Sequence, residues 1–110
     1  MNIPEKVKIL YKEYTVEEQE NLHDGGKELY GQIHYLSEKI MLNTNSSDKQ
    51  KEATFLHEII HGLDEMYCIG LKEKQVEKLG TALYMLHCDK YSDCIFCGIY
   101  SRRNRFLLKT

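Results

Sequence analysis

The stretch between residues 48 and 67 constrains the fold more than any other part of this chain. Its apolar residues recur at intervals of three and four, which places them on one face of an α-helix. Ser47 and, three residues later, Gln50 fit a capping box, while Asp48 suits the positive end of the helix dipole. Gly70 suits the C-terminal end. We therefore predict a helix that packs against a core through Leu56, Ile59, Ile60, Leu63 and Tyr67.

A second helix is predicted from about Glu73 to His87. The same spacing predicts that its apolar side chains are buried, namely Val76, Leu79, Leu83 and Leu86. The fold class that follows is α+β, with a small N-terminal β-sheet packed on the first helix and the second helix beside it.

The sheet is predicted from the first 42 residues. Residues 7–14 are rich in β-branched and aromatic side chains and favour a strand. Residues 31–36 and 39–42 favour two further strands joined as a hairpin. The charged segment 15–29 contains Asp24-Gly25-Gly26, a turn signal, so we expect a loop or an interrupted short helix there.

Length and charge indicate one globular domain. With 110 residues the chain has room for a single core, placed at about residues 5–87, before a cysteine-containing basic tail over 88–110. Hydrophobic residues make up 42% and the formal net charge is −2, which favours neither disorder nor nucleic-acid binding. The tail's cations, Arg102, Arg103, Arg105 and Lys109, fit a solvated terminus better than a nucleic-acid site.

The expected compartment is the cytosol, without a membrane partner. No apolar run approaches the roughly 18 residues of a membrane span, and the first residues lack the apolar core of a signal peptide. In the cytosol, Cys68, Cys88, Cys94 and Cys97 would be reduced thiols or metal ligands. The pair Cys94 and Cys97, with His87 and Cys88 upstream, could form a small structural zinc site, although one Cys-x-x-Cys is a weak signal.

The chemistry is carried by residues 57–61, which read His-Glu-Ile-Ile-His within the predicted helix. Residues four apart project from the same side of a helix, so the imidazoles of His57 and His61 can bind one Zn²⁺ ion. Glu58 flanks that position, where its carboxylate can take a proton from a water molecule activated by zinc and pass it to a leaving amine. The alternative is a surface helix with two solvated histidines. The position of the pair at the edge of the apolar stripe favours a zinc-dependent peptidase.

A catalytic zinc site needs a third protein ligand besides an open position. Glu73 and Glu77 both qualify, being one turn apart near the start of the second helix. Glu73 lies closer to the predicted apolar stripe and is favoured as the ligand, while Glu77 would orient a histidine ring or serve as the alternative third ligand. Asp64 shares the histidine face and could be an outer acceptor or, less favourably, a ligand.

The residues around the motif resemble a known family. Segments 54–64 and 73–80, with 29–33 and 39–42 upstream, are similar to small phage-type relatives of the ImmA/IrrE metallopeptidases. The resemblance covers roughly residues 5–86. It implies a minimal zincin-like domain with a gluzincin-like site, in which two histidines and a downstream glutamate hold zinc and the motif glutamate is the general base. It also implies hydrolysis of a peptide bond in a cytosolic protein, such as a regulator or repressor of a mobile element.

The family's Glu-x-x-Ala-(Asn/Asp) pattern falls on residues 73–77. Val76 replaces Ala and Glu77 replaces Asn/Asp, so the pattern favours Glu73 as the ligand and leaves Glu77 open. Gluzincin sites usually add a donor for the oxyanion, and the candidates are Tyr35, Tyr67, Tyr84 and His34. The rival function is a non-catalytic regulatory or binding module that keeps the fold. The intact Glu58 favours the enzyme, because a structural metal site needs no general base.

Overall fold

Six strands and two helices make up residues 2–88, the part of the chain that the computed structural model describes. The strands are β1 (Lys6–Ile9), β2 (Lys12–Gln19), β3 (His23–Asp24), β4 (Lys27–Glu28), β5 (Gly31–His34) and β6 (Lys39–Asn43). The helices are α1 (Asp48–Tyr67) and α2 (Glu73–Cys88). The α+β class expected from the sequence is confirmed.

Four of the strands form a mixed sheet in the order β1-β2-β6-β5. β1 and β2 are antiparallel, β2 and β6 are parallel with Thr15 opposite Lys39, and β5 and β6 are antiparallel with Ile33 opposite Ile40. The short strands β3 and β4 form a separate hairpin. Because β5 pairs with β6 alone, its outer edge carries no strand within residues 2–88.

The N-terminal strands differ from the predicted ones. Residues 7–14 do not form a single strand, since the chain reverses at Leu10, whose φ is 57°. The segment expected to be a loop or short helix continues β2 as far as Gln19 and then forms the β3–β4 hairpin. The turn at Gly25 and Gly26 is confirmed, with φ values of 61° and 84° that glycine adopts without steric cost. The predicted hairpin over 31–42 is confirmed as β5 and β6.

Helix α1 begins as the sequence predicts. Ser47 is the N-cap, and its side chain accepts a hydrogen bond from the Gln50 backbone N–H at 3.2 Å. The capping box is only half formed, because the Gln50 side-chain amide donates to the Thr54 hydroxyl at 2.9 Å instead. The helix ends at Tyr67, as predicted, and its C-cap is Cys68, which is left-handed with φ 52°. Gly70, the predicted stop signal, follows in the connection with φ 86°.

The three layers of the domain are the sheet, α1 and α2, in that order. Helix α1 packs on the sheet around a core cluster of Ile9, Tyr14, Ile40, Leu42 and Phe55. Helix α2 packs on α1 and on no strand within the described part of the chain. Val76 is therefore buried, but the prediction for Leu79, Leu83 and Leu86 is wrong: they are 44%, 42% and 46% exposed, because α2 has a neighbour on one side only.

Several predictions fall beyond these residues. The basic tail and the proposed Cys94–Cys97 zinc site lie outside the described residues, as does the Cys88 side chain. Cys68 is exposed and forms no disulfide within residues 2–88. No helix within residues 2–88 is both long and apolar enough to cross a bilayer.

Candidate metal centre and cleft

The two motif histidines face each other on the side of α1 that is turned toward α2. They lie four residues apart, which stacks them one turn above the other. Their Nε2 atoms are 3.2 Å apart, and the rings meet edge to face at an interplanar angle of 67°. Both side chains are about one quarter exposed, so the pair lies at the boundary between the helix interface and open space.

A short connection turns the chain from α1 back along α2. Cys68 and Gly70 both adopt positive φ, and the Asp64 Oδ1 atom accepts hydrogen bonds from the backbone N–H groups of Gly70 at 2.7 Å and Leu71 at 2.9 Å. The Asp64 carboxylate therefore binds the connection rather than a histidine, so the prediction that it is an outer acceptor or ligand at the metal site is not supported by its position. It is not among the side chains within residues 2–88 whose ligand atoms are grouped closely enough to hold a metal ion.

This connection makes Glu73 the first residue of α2 and brings its side chain over the histidine pair. Glu73 Oε1 lies 2.9 Å from His57 Nε2, and Glu73 Oε2 lies 3.1 Å from His61 Nε2. These three side chains offer ligand atoms within 4.8 Å of one another, the only such group among the described residues. They could hold a metal ion between the two helices.

The close approach of α2 depends on small and apolar residues further along the helix. Val76 is 1% exposed, and Gly80 lies against the His57 backbone, where a Cβ atom would be 3.5 Å from His57 Cα. Such a Cβ would make ordinary van der Waals contact, so the helices are as close as an alanine would permit at this point. Packing of α2 against the part of α1 that carries the histidines thus supports the site.

Glu58 differs from the other carboxylates of the site in being buried. It is 7% exposed, lines the cleft described below, and forms no hydrogen bond or ion pair within residues 2–88. Burial raises the pKa of Glu58 to about 7, and the negative charge of Glu73 adds to the rise. A carboxyl group with this pKa can both accept and release a proton near neutral pH.

A cleft of about 880 Å³ runs past these residues. Helix α1 forms its floor, the β5 edge forms one wall and α2 forms the other. At Gly31 the strand lies so close to α1 that an added Cβ would collide with the Thr54 methyl group and lie 3.0 Å from the Met41 carbonyl oxygen. The free edge of β5 is therefore held beside the histidines.

The other predicted site residues divide into those that line the cleft and those that do not. Glu77 lines it, but no hydrogen bond joins Glu77 to either histidine within the described residues. Tyr35 and Tyr84 also line it, whereas Tyr67 and His34 do not. The Tyr35 hydroxyl donates to the His61 carbonyl oxygen at 3.3 Å, and burial together with nearby carboxylates, Glu65 first, raises its pKa to about 12.

Sequence reasoning missed Asp24 as a residue of the cleft. In the sequence Asp24 is part of a turn signal, and it does begin that turn, but the β3–β4 hairpin also brings it to the cleft wall. No local sequence pattern indicates this, because the position of the hairpin depends on the pairing of β2, which precedes it in the chain, with β6, which follows it. Tyr84 was named as a donor candidate, and its hydroxyl donates to Glu52 Oε1 at 2.8 Å.

Comparison of the chain with protein-family models, with curated proteins and with solved structures gives no match. The resemblance to ImmA/IrrE metallopeptidases therefore remains a prediction based on the motif and its flanking residues.

Proposed function

We propose that this chain is a zinc-dependent peptidase with a zincin-like fold, which hydrolyses a peptide bond in a cytosolic protein. A regulator or repressor of a mobile element is the substrate that the ImmA/IrrE resemblance suggests. One observation carries the proposal: the Glu73 carboxylate meets both motif histidines at 2.9 and 3.1 Å, beside the buried carboxylate of Glu58.

The donor atoms suit zinc in kind and in spacing. Two imidazole nitrogens and one carboxylate form a set found in catalytic zinc sites. Ligands at about 2.0–2.1 Å from a tetrahedral ion lie roughly 3.3 Å from each other, and the separations here are 2.9–3.2 Å. Without a cation, both contacts of Glu73 are hydrogen bonds only if both Nε2 atoms carry a hydrogen, and these two nitrogens lie 3.2 Å apart.

The proposed reaction adds water across a peptide bond, so that the carbonyl carbon gains the hydroxyl group and the amine gains a hydrogen. When bound, zinc would polarise the scissile carbonyl group and make a water molecule acidic enough to react at neutral pH. Glu58 accepts the proton that this water loses and releases it to the departing amine. Its pKa of about 7 suits both steps, although a nearby cation would lower the value.

Tyr35 is the preferred donor to the oxyanion among the four candidates. Its side chain lines the cleft, and its pKa of about 12 keeps the hydroxyl protonated at neutral pH. The hydroxyl's bond to the His61 carbonyl is long, at 3.3 Å, so a better acceptor would compete for it. Tyr84 is second, because its hydroxyl already donates to Glu52 at 2.8 Å.

The β5 edge offers a way to hold the substrate. Its outer N–H and C=O groups face no strand within residues 2–88, and an extended peptide could pair with them as an additional strand. Antiparallel pairing is slightly more stable per residue than parallel pairing. We therefore propose that the substrate runs antiparallel to β5.

A non-catalytic binding module is the rival function. A carboxyl group in a cleft whose pKa is strongly raised is a candidate for a reactive group. Glu58 is 7% exposed, lines the cleft and has a raised pKa, which favours the enzyme.

Metal analysis of four purified proteins tests the proposal. We expect about one zinc ion per chain in the wild type and in Glu58→Gln, with peptidase activity lowered by about 10²–10⁴-fold in the latter. Glu73→Gln should lose zinc, whereas Glu77→Gln, the matched change one turn away, should retain it. Absence of zinc from the wild type would refute the site, and wild-type proteolysis by Glu58→Gln would refute the mechanism. Loss of zinc in Glu77→Gln alone would make Glu77 the third ligand.

The substrate can be sought with the same inactive variant. Zinc-loaded Glu58→Gln should retain an uncleaved substrate during purification from cells, while the wild type should release its products. A protein retained by Glu58→Gln and then cut by added wild type would identify the substrate.

A further inference from the structure

The walls of the cleft are acidic. Asp24, Glu58, Glu73 and Glu77 line it, and no lysine or arginine does so within residues 2–88. The whole chain, by contrast, is nearly balanced, with 15 basic and 17 acidic residues. The excess of carboxylates is therefore a property of this cleft and not of the surface in general.

A bound zinc ion would not cancel this excess. Its two positive charges would offset Glu73, which is a proposed ligand, and Glu58, which lies beside it. The carboxylates of Asp24 and Glu77 would remain, and both side chains are exposed. A ligand of this cleft therefore meets two further carboxylates, and no described lysine or arginine lines the cleft beside them.

Both carboxylates lie toward one end of the cleft. Glu77 is one turn beyond Glu73 along α2, in the direction of Gly80, which packs on His57, and of Tyr84, which bonds to Glu52 near the start of α1. Asp24 belongs to the β3–β4 hairpin, which directly precedes β5. The negative charge is thus concentrated beside the first turns of α1.

The direction of β5 indicates which side of the scissile bond would lie at this acidic end of the cleft. Gly31 lies against Thr54, and the Ile33 side chain lies against Gly62, so β5 runs parallel to α1. A peptide that pairs antiparallel with β5 runs the opposite way. The residues that follow its scissile bond therefore extend toward Gly31, Glu77 and Asp24.

The same end of the cleft can also accommodate the stem of a long side chain. Tyr30, directly before β5, lines the cleft with 63% of its surface exposed. An aromatic ring beside carboxylates packs against the methylene groups of lysine or arginine and attracts the cationic head through its π-face. An acidic side chain would be repelled here.

We propose that the cleft selects peptides with a lysine or arginine within the two residues that follow the scissile bond, recognised by Glu77 and Asp24. The position of the lysine or arginine relative to the scissile bond rests on the proposed peptidase function. The preference for a basic side chain rests on the charges of the cleft alone, so the two parts can be tested separately.

Binding is measured first, so that the result does not depend on cleavage. The probes are three fluorescent phenylalanine-containing decapeptides, identical except for a central Lys, Gln or Glu, added to zinc-loaded Glu58→Gln protein. Exposed charge pairs contribute about 0.2–1 kcal/mol each, so two should favour Lys over Gln by about two- to thirtyfold. The preference should fall at about 0.5 M salt. Glu77→Gln combined with Asp24→Asn should abolish it, whereas Glu20→Gln, an exposed acid outside the cleft, should leave it unchanged.

Cleavage is measured second, with wild-type protein and a degenerate peptide library. Lys and Arg should be enriched at the first or second position after the cut, and Glu77→Lys should replace them with Glu and Asp. Equal binding of the Lys and Gln probes, or a preference that survives the double substitution, overturns the inference. Lys-selective binding without any cleavage supports the acidic subsite and refutes the peptidase function. Enrichment only before the cut overturns the proposed direction of the peptide.

Discussion

The two helices carry similar apolar patterns but are packed very differently. Helix α1 lies between the sheet and α2, and Phe55 and Ile60 are 5% and 4% exposed. Helix α2 has only α1 beside it among the described residues, so Val76 is buried while Leu83 is 42% exposed. Periodicity therefore predicts which residues share a face of a helix, but it does not predict how many neighbours that face has. The proposed metal site joins this well-packed helix to the sparsely packed one.

The largest difference in stability is expected within α1. Phe55→Ala removes a ring from the core cluster and should lower the free energy of unfolding by about 3–5 kcal/mol. The matched control is Tyr67→Ala on the same helix, where 54% exposure predicts a loss below about 1 kcal/mol. Urea denaturation measures both. Equal losses would show that α1 is not packed as described.

Zinc is expected to attach α2 more firmly to α1. At a free zinc concentration about 100 times the dissociation constant, the stabilisation should be about 2.7 kcal/mol. Thermal unfolding with zinc and with a chelator measures it, and amide exchange should show greater protection in α2. The effect should vanish in Glu73→Gln and persist in Glu77→Gln. Protection confined to α1 would contradict a metal site shared by the helices.

Within α2, one apolar residue should matter more than the others. Val76→Ala removes two buried methyl groups and should cost about 2 kcal/mol. Leu83→Ala removes a larger group, yet its exposure predicts a loss below about 1 kcal/mol. Parallel chemical denaturation of the two variants tests the ranking. A larger loss for Leu83→Ala would mean that this leucine is covered by something outside residues 2–88.

The smallest expected effect lies in the connection between the helices. Asp64→Ala leaves the Gly70 and Leu71 N–H groups without their acceptor and should cost about 1–2 kcal/mol. Because the connection orients Glu73, zinc affinity should fall as well. Asp64→Asn keeps an oxygen acceptor and should restore most of both properties. If neither variant changes zinc affinity, Asp64 supports the fold without positioning Glu73.

Much of the helical part could be predicted from the sequence, because its signals are local. The N-cap of α1 follows from Ser47 and the start of α2 at Glu73 follows from periodicity. The strands were harder. The chain turns at Leu10 in a left-handed conformation, and no glycine or asparagine stands at this position to predict the turn. The second part of β2, residues 15–19, resembles a charged loop in sequence because none of these residues is fully buried.

In the site too, some features follow from neighbouring residues in the sequence, and others depend on contacts between residues that are distant in the chain. The juxtaposition of His57 and His61 follows from helix geometry alone. The position of Glu73 does not, because it depends on how Asp64 closes the connection between the helices. The proposed preference for Glu73 over Glu77 as the third ligand therefore depends on the orientation of α2 as well. Asp24 depends on the sheet topology, which pairs β2 with β6 across a long intervening segment.

The lack of a side chain at Gly31 has a consequence for how this cleft can change. A single added carbon would meet Thr54 and the Met41 carbonyl group, so β5 could accommodate alanine only by moving away from α1. Such a shift would carry the outer edge of β5 away from Glu58 without altering any side chain of the proposed reaction. An added methyl group at residue 31 would thus increase the distance between a peptide paired with β5 and the buried Glu58 carboxylate. This distance could therefore be changed by mutation without changing the groups proposed to react.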